Sequence, residues 1–180
     1  MRRQDPAALA RARFSEIVPH LLDDAYSLAK WLCHDASDAE DVVQEAALKA
    51  LKALETVSVD RPKSWFLTIV RNSAVTWMTR NRSKRLAYAG GMDDLDALGA
   101  GDLEAPPNPE QTLIAVEDTE RLRQAIADLP RPLMETLVMR DVNGLSYREI
   151  ADATGAPIGT VMSRLSRARV QLARRLKAEP

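Results

Sequence analysis

A single cysteine stands in this 180-residue chain, so no internal disulfide can form, and Cys33-His34 has no further ligands around it at zinc spacing. A buried thiol is the expected state of Cys33, and neither a metal nor any other cofactor is expected. Aromatic residues make up only 4% and glycines number seven, while alanine and leucine abound, a balance that favours helices over strands. The expected fold class is all-α. No apolar run approaches the roughly 18 residues of a membrane span, and the N-terminal MRRQDPAALARARF carries charge without the apolar segment of a secretory signal. A cytoplasmic chain with no membrane insertion is therefore expected. The two histidines, His20 and His34, lie in different helical contexts with no nucleophile or metal set around them, so no enzyme is expected.

What the chain does have is segregated charge. The net value of −1 hides a window, residues 61–85, that holds Arg61, Lys63, Arg71, Arg80, Arg82, Lys84 and Arg85 and no acid. Residues 86–120 hold nine acids and no base, and from Pro157 onward six bases face Glu179 alone. Two basic patches flanking an acidic middle imply two separate polyanion contacts. Residues 89–111, AGGMDDLDALGAGDLEAPPNPEQ, concentrate Gly, Pro and Asp between strongly periodic flanks and read as a linker. The expected division is a domain over 1–88, an acidic linker over 89–115 and a second domain over 116–180, each block large enough to fold alone. As a flexible coil the linker would span roughly 30 Å and at full stretch about 100 Å. Two readings of it fit: a merely solvated coil, or a mimic of nucleic acid for a partner's basic channel.

In the first block, Asp5-Pro6 suits the start of a helix that Pro19 interrupts or ends. Ser37-Asp38-Ala39-Glu40 fits a capping box opening a helix to about residue 54. Ala39, Val43, Ala46, Ala50 and Leu54 fall on its inner side and Asp41, Gln44, Glu45, Leu48 and Lys52 on the other. A polar face usually meets only solvent, but Leu48 in the middle of this one points to a docking surface. The next helix, 64–81, sends Phe66, Val70 and Trp77 to the core and lines its far face with Thr68, Asn72, Thr76, Thr79 and Arg80. Amides, hydroxyls, arginines and rings in this pattern suit single-stranded DNA, and equally an ordinary basic helix with core tryptophans.

The second block gives two apolar-periodic helices broken at Pro130 to Pro132 and ended by Asn143-Gly144. In SYREIADATGAPIGTVMSRLSRAR, residues 146–169, Ser146 and Glu149 form a capping box, Ile150 and Ala151 face inward, and Gly155 stops the helix after two turns. Pro157 then opens a longer helix, which completes a helix-turn-helix. Ile158, Val161, Leu165, Ala168, Leu172 and Leu176 repeat on its inner side. Thr160, Ser163, Arg164, Arg167, Gln171 and Arg174 share the opposite face. Such a helix enters the major groove N-terminus first, which suits Thr160, Ser163, Arg164 and Arg167 to bases and nearby phosphates. Arg169, Arg174 and Arg175 touch the backbone or stay solvated, and Tyr147 and Arg148 are placed to hold phosphates.

With these segments in order, the chain resembles the extracytoplasmic-function group of bacterial sigma factors, the smallest members of the sigma-seventy family. DAEDVVQEAALKAL is similar to the helix that docks on the polymerase clamp helices, PKSWFLTIVRN and the basic helix after it to the promoter-melting segment, and GLSYREIADATGAPIGTVMSRLSRAR to the reader of the minus-thirty-five element. The resemblance implies that Asp41, Gln44, Glu45 and Leu48 contact the polymerase. It implies that the 58–64 loop, with Arg61, Lys63 and Ser64, joins Thr68, Asn72, Thr76 and Arg80 in capturing the unwound minus-ten strand, one base being flipped into a pocket. Met162 and Ser166 join the minus-thirty-five reader by position, although some relatives carry a basic and a bulky residue there, so a promoter sequence does not transfer. Implied partners are core RNA polymerase through its clamp helices and flap, promoter DNA, and an inhibitory anti-sigma factor that clamps both domains; the free chain is expected to be a monomer. The linker stands where relatives thread a segment through polymerase. Two other classes compete: a sigma-like decoy for an anti-sigma factor, and an ordinary helix-turn-helix regulator. The first joins a receiver domain in known cases and the second calls for a ligand-binding or dimerising domain; neither signal is present.

Overall fold

The computed structural model describes residues 6–88 and 119–178, with side chains over 6–81 and 119–177. Among these every regular element is helical. The helices are α1 (Pro6–Ile17), α2 (Leu22–Cys33), α3 (Ala36–Ala53), α4 (Pro62–Tyr88), α5 (119–127), α6 (Arg131–Leu137), α7 (Tyr147–Thr154) and α8 (Ile158–Ala178), with one 3₁₀ turn at Pro19–Leu21 and a π turn at Val138–Val142. The acidic linker, 89–115, lies outside the described residues, as do Asp5 and the side chains of Arg82, Lys84 and Arg85.

The N-terminal module is a packing of α2, α3 and α4, with α1 laid on α3. Its core is Leu28, Leu32, Val42, Phe66, Leu67 and Val70, all fully buried, and Cys33 is buried among them. Alanines at 39, 46 and 50 let α3 approach its neighbours closely. The chain leaves α2 through His34, which adopts φ 61 without being a glycine, and its N–H reaches Lys30 O at 3.0 Å. That turn hands over to α3, whose cap is Asp35 and not Ser37: the Asp35 carboxylate accepts from Asp38 N at 2.8 Å. Asp35 is in the extended conformation of an N-cap (φ −136, ψ 137), so the helix starts before the expected capping box and Ser37 falls within the first turn. Val42, not Val43, takes the fully buried place on the inner side. Helix α4 also starts earlier, with Pro62 at its head, and runs on to Tyr88; Trp77 is half-buried and packs on the edge of the core.

In the C-terminal module α8 packs on α6 and α7. Met134, Met139, Ile150, Val161 and Ala168 are fully buried there, and Leu165 nearly so. Helix α6 ends by widening: Asn143 N reaches back five residues to Val138 O and Leu145 N six to Met139 O, both at 3.0 Å. Gly144, at φ 73, turns the chain into the Ser146 cap, and Gly155, at φ 68, makes the turn between α7 and α8. Three members of the apolar repeat on α8 differ from expectation: Ile158 and Leu176 stand open, and Leu172 is half-buried. A helix of 21 residues, about 30 Å long, outruns the eight-residue α7 it packs on.

The two modules are not apart. Helix α7 packs on α4, the π turn packs on α2, and the buried apolar residues of both modules form one continuous cluster.

Candidate nucleic-acid and polymerase interfaces

On α3, Asp41, Gln44 and Leu48 are exposed, and Leu48 at 65% is among the most open apolar side chains of the described residues. Glu45 is half-buried and bound to Lys49 at 2.7 Å, while Lys49 also donates to Ser73 Oγ at 3.0 Å and so ties this face to α4. The four expected docking residues therefore form one patch, with a large apolar group held in water at its centre.

Arg61, just before α4, and Asn72 and Arg80 on it are exposed, and Lys63, Ser64, Thr68 and Thr76 are half-buried. The threonine hydroxyls turn back on their own helix: Thr68 donates to Ser64 O at 2.7 Å and Thr76 to Asn72 O at 2.9 Å. Lys63 pairs with Asp24 at 2.8 Å, and Asn72 Oδ1 accepts from Arg71 Nη1 at 3.2 Å. The buried Nε1 of Trp77 has no partner among the described residues.

The N-terminal half of this helix is where the C-terminal module sits. Arg71 forms an ion pair with Glu135 of α6, whose side chain is 7% exposed against 21% for the arginine. Asn143, buried behind the π turn, donates from Nδ2 to Asp24 O at 3.1 Å. The Glu149 carboxylate is held below its ordinary range, first by the Ser146 hydroxyl and backbone N–H of its own capping box and further by Ser64 and Arg61 across the junction. Asp24, Arg71, Glu135 and Asn143 were not among the expected site residues. The pairs they form are separated by 64 and 119 positions, and no local pattern marks them.

On α7 and α8, the capping box is complete, with Glu149 accepting from Ser146 N at 2.8 Å and from its Oγ at 2.7 Å. Arg148 is exposed, and Tyr147 is half-buried under the Arg140 guanidinium, 5.1 Å from its ring centre. Arg167 and Arg174 are exposed, as expected, but Thr160, Ser163, Arg164 and Gln171 are half-buried. The open face is instead centred on 158, 159, 162, 166, 169, 170 and 173, turned roughly a third of the helix circumference from the face that the polar residues mark. The reason is that α8 lies against two helices, so its sheltered arc is wider than the apolar repeat alone suggests. Met162, Ser166 and Arg169 are on the open side, and Arg169 is held by Asp141 through bonds of 2.7 and 3.2 Å, which raises its already high pKa.

Among the described residues no group of three or more His, Cys, Asp and Glu could hold a metal, and no helix is long and apolar enough to cross a membrane.

A helical module carrying a capped helix-turn-helix, joined to a second helical module with an open apolar-centred patch, defines a class of nucleic-acid-binding protein. Residues 17–84 match the family model of Sigma-70 region 2, and residues 119–172 that of Sigma-70, region 4. The chain is 33% identical over 141 residues to the ECF RNA polymerase sigma-E factor of Escherichia coli, covering 74% of this chain and 71% of that one. It is 32% identical over 163 residues to the ECF RNA polymerase sigma factor SigE of Mycolicibacterium smegmatis, covering 91% of this chain but 61% of the relative's length. In fold it is similar to the sigma factor RpoE of Bartonella quintana, solved with the anti-sigma factor NepR, at a TM-score of 0.73 and 24% identity over 93% of this chain and 99% of that one. It is also similar to CnrH, solved with the cytosolic domain of CnrY, at 0.66 and 23%, over 97% of each. The chain belongs to the extracytoplasmic-function sigma factors of the sigma-70 family.

Proposed function

We propose that this chain is a cytoplasmic promoter-specificity subunit without catalysis of its own: it binds core RNA polymerase, recognises duplex DNA at minus thirty-five through α7 and α8, and captures the melted minus-ten strand on α4. The boundaries 1–88, 89–115 and 116–180 are the proposed division of these tasks. The observation that carries the reading is the presence in one chain of an acid-free α8 behind a capped α7 and of the Leu48 patch on α3. Asp41, Gln44, Glu45 and Leu48 are the proposed polymerase contacts. Strand capture by Arg61 and Ser64 requires the C-terminal module to leave α4, because these residues adjoin Glu149 of α7 in the closed form, and Lys63 would have to leave Asp24. An anti-sigma factor is the proposed inhibitory partner, by analogy with the Bartonella protein.

Transcription in vitro with core polymerase on a library of promoters tests the reading. Initiation at a subset of templates is expected, and no transcription above core alone on any template overturns it. A double change of Gln44 and Leu48 to alanine, both on the open side of α3, should leave folding intact and weaken polymerase association. Unchanged association would remove the docking assignment.

A further inference from the structure

The open face of α8 is unusual for a helix assigned to DNA. It begins with apolar groups, Ile158 at 45% and Met162 at 52% exposure, followed one turn on by Ser166. The core is made instead by Val161, Leu165 and Ala168 on the other side, so neither Ile158 nor Met162 is needed to hold α8 in place. The cation that shares this stripe, Arg169, is folded back onto Asp141 through two hydrogen bonds. Arg167 stands on one shoulder, beside Ser163, whose hydroxyl already donates to Thr160 O at 3.0 Å.

We propose that Met162 is a specificity-determining residue that contacts the C5-methyl group of a thymine in the major groove of the minus-thirty-five duplex. This rests on the reading of α8 as the duplex-binding helix. The N-terminal turns of such a helix go deepest into the groove, and Met162 stands in its second turn. Thymine is the base that presents an apolar group there; the other edges offer hydrogen-bond donors and acceptors that a thioether leaves unsatisfied. Methionine is unbranched and polarisable, and fits an irregular methyl surface without a fixed rotamer. Residues one turn apart on a helix are separated by about 6 Å along its axis, so Ile158 lines the same apolar strip beside the neighbouring base steps. Charge favours DNA over an apolar protein surface as the occupant: no acid lies in 158–178, and Arg148 of α7 and Arg167 and Arg174 of α8 are exposed.

The test uses the full chain bound to core polymerase. A duplex is selected from a library randomised over the minus-thirty-five element, and each selected thymine is then replaced by deoxyuridine, which lacks only the methyl group. At one thymine the loss of affinity should be roughly three- to five-fold, the worth of one buried methyl group. Met162→Ala should weaken binding to the thymine duplex by a similar factor and abolish the thymine-to-uracil difference at that position alone. Met162→Gln should abolish it too, and unchanged thermal unfolding would show that both variants fold. Arg167→Ala should lower binding at every duplex and leave the methyl difference intact. A site in which no thymine methyl matters, or a difference that survives in Met162→Ala, overturns the proposal. So does a Met162→Ala variant that loses polymerase and keeps its response to the methyl, since the strip would then belong to the polymerase. A library from which no duplex is selected overturns the reading of α8 itself, and the thymine contact with it.

Discussion

Helices α4 and α8 are both basic, both amphipathic and both proposed to meet promoter DNA, yet the fold covers them to different degrees. On α4 many polar side chains are occupied while Asn72 and Arg80 stay open: threonine hydroxyls bond their own backbone, Lys63 is on Asp24, Arg71 is on Glu135, and α7 lies over the N-terminal half. On α8 the outward face is open and partly apolar, and nothing among the described residues covers Met162 or Ser166. The difference teaches that, on the proposed roles, the duplex-reading face is uncovered while α7 lies over the strand-capturing one. The junction over α4 is stitched by an ion pair and an amide as well as by apolar packing, the mixed composition usual for interfaces between domains of one chain.

The comparison breaks most sharply at Arg71. Arg71→Ala leaves the Glu135 carboxylate buried without its cation and should cost about 3 kcal/mol in urea unfolding, the usual penalty for removing one partner of a buried pair. Glu135→Ala should cost clearly less, because Arg71 is partly exposed and can turn to water. Equal losses would show that the pair does not carry the junction. A smaller effect is expected at Asn143, whose alanine variant loses the amide bond to Asp24 O, about 1 kcal/mol, and should enlarge the radius measured by small-angle scattering if it loosens the contact between modules.

Ser146→Ala probes α7 by itself and should cost about 1 kcal/mol for the lost cap. The smallest effect is one of pH. Because the capping box depresses the Glu149 pKa below its ordinary 4.5 in the folded chain, its contribution is present above that value and is lost as the pH falls through the folded one. Glu149→Gln should therefore flatten the acid limb of the stability profile by a few tenths of a kcal/mol, being largely solvent-screened. An unaltered acid limb would mean that other carboxylates set it.

Much of the α8 module was legible in the residues because its signals are local. The Ser146-Glu149 box, the Gly155 turn and the stop at Asn143-Gly144 each depend on neighbours within about four positions, and each stands where the pattern puts it. The Leu48 patch was legible for the same reason. Less so was the rotation of the open face of α8: periodicity marks the centre of an apolar stripe but not how many helices will shelter its flanks. The cap of α3 was misplaced by two residues because Asp35 and Ser37 are both good caps, and the His34 turn before them decides between them.

The residues by themselves determined that this chain is helical, where its helix-turn-helix begins and turns, and that its charge is split between two basic ends, because propensity, capping and charge are properties of short stretches. Only the tertiary structure decided that Asp24 would meet Asn143 and Arg71 would meet Glu135, which side of α8 faces outward, and which basic face is covered. Those outcomes depend on how two cores come together, and contacts between groups 64 and 119 positions apart leave no trace in any local pattern.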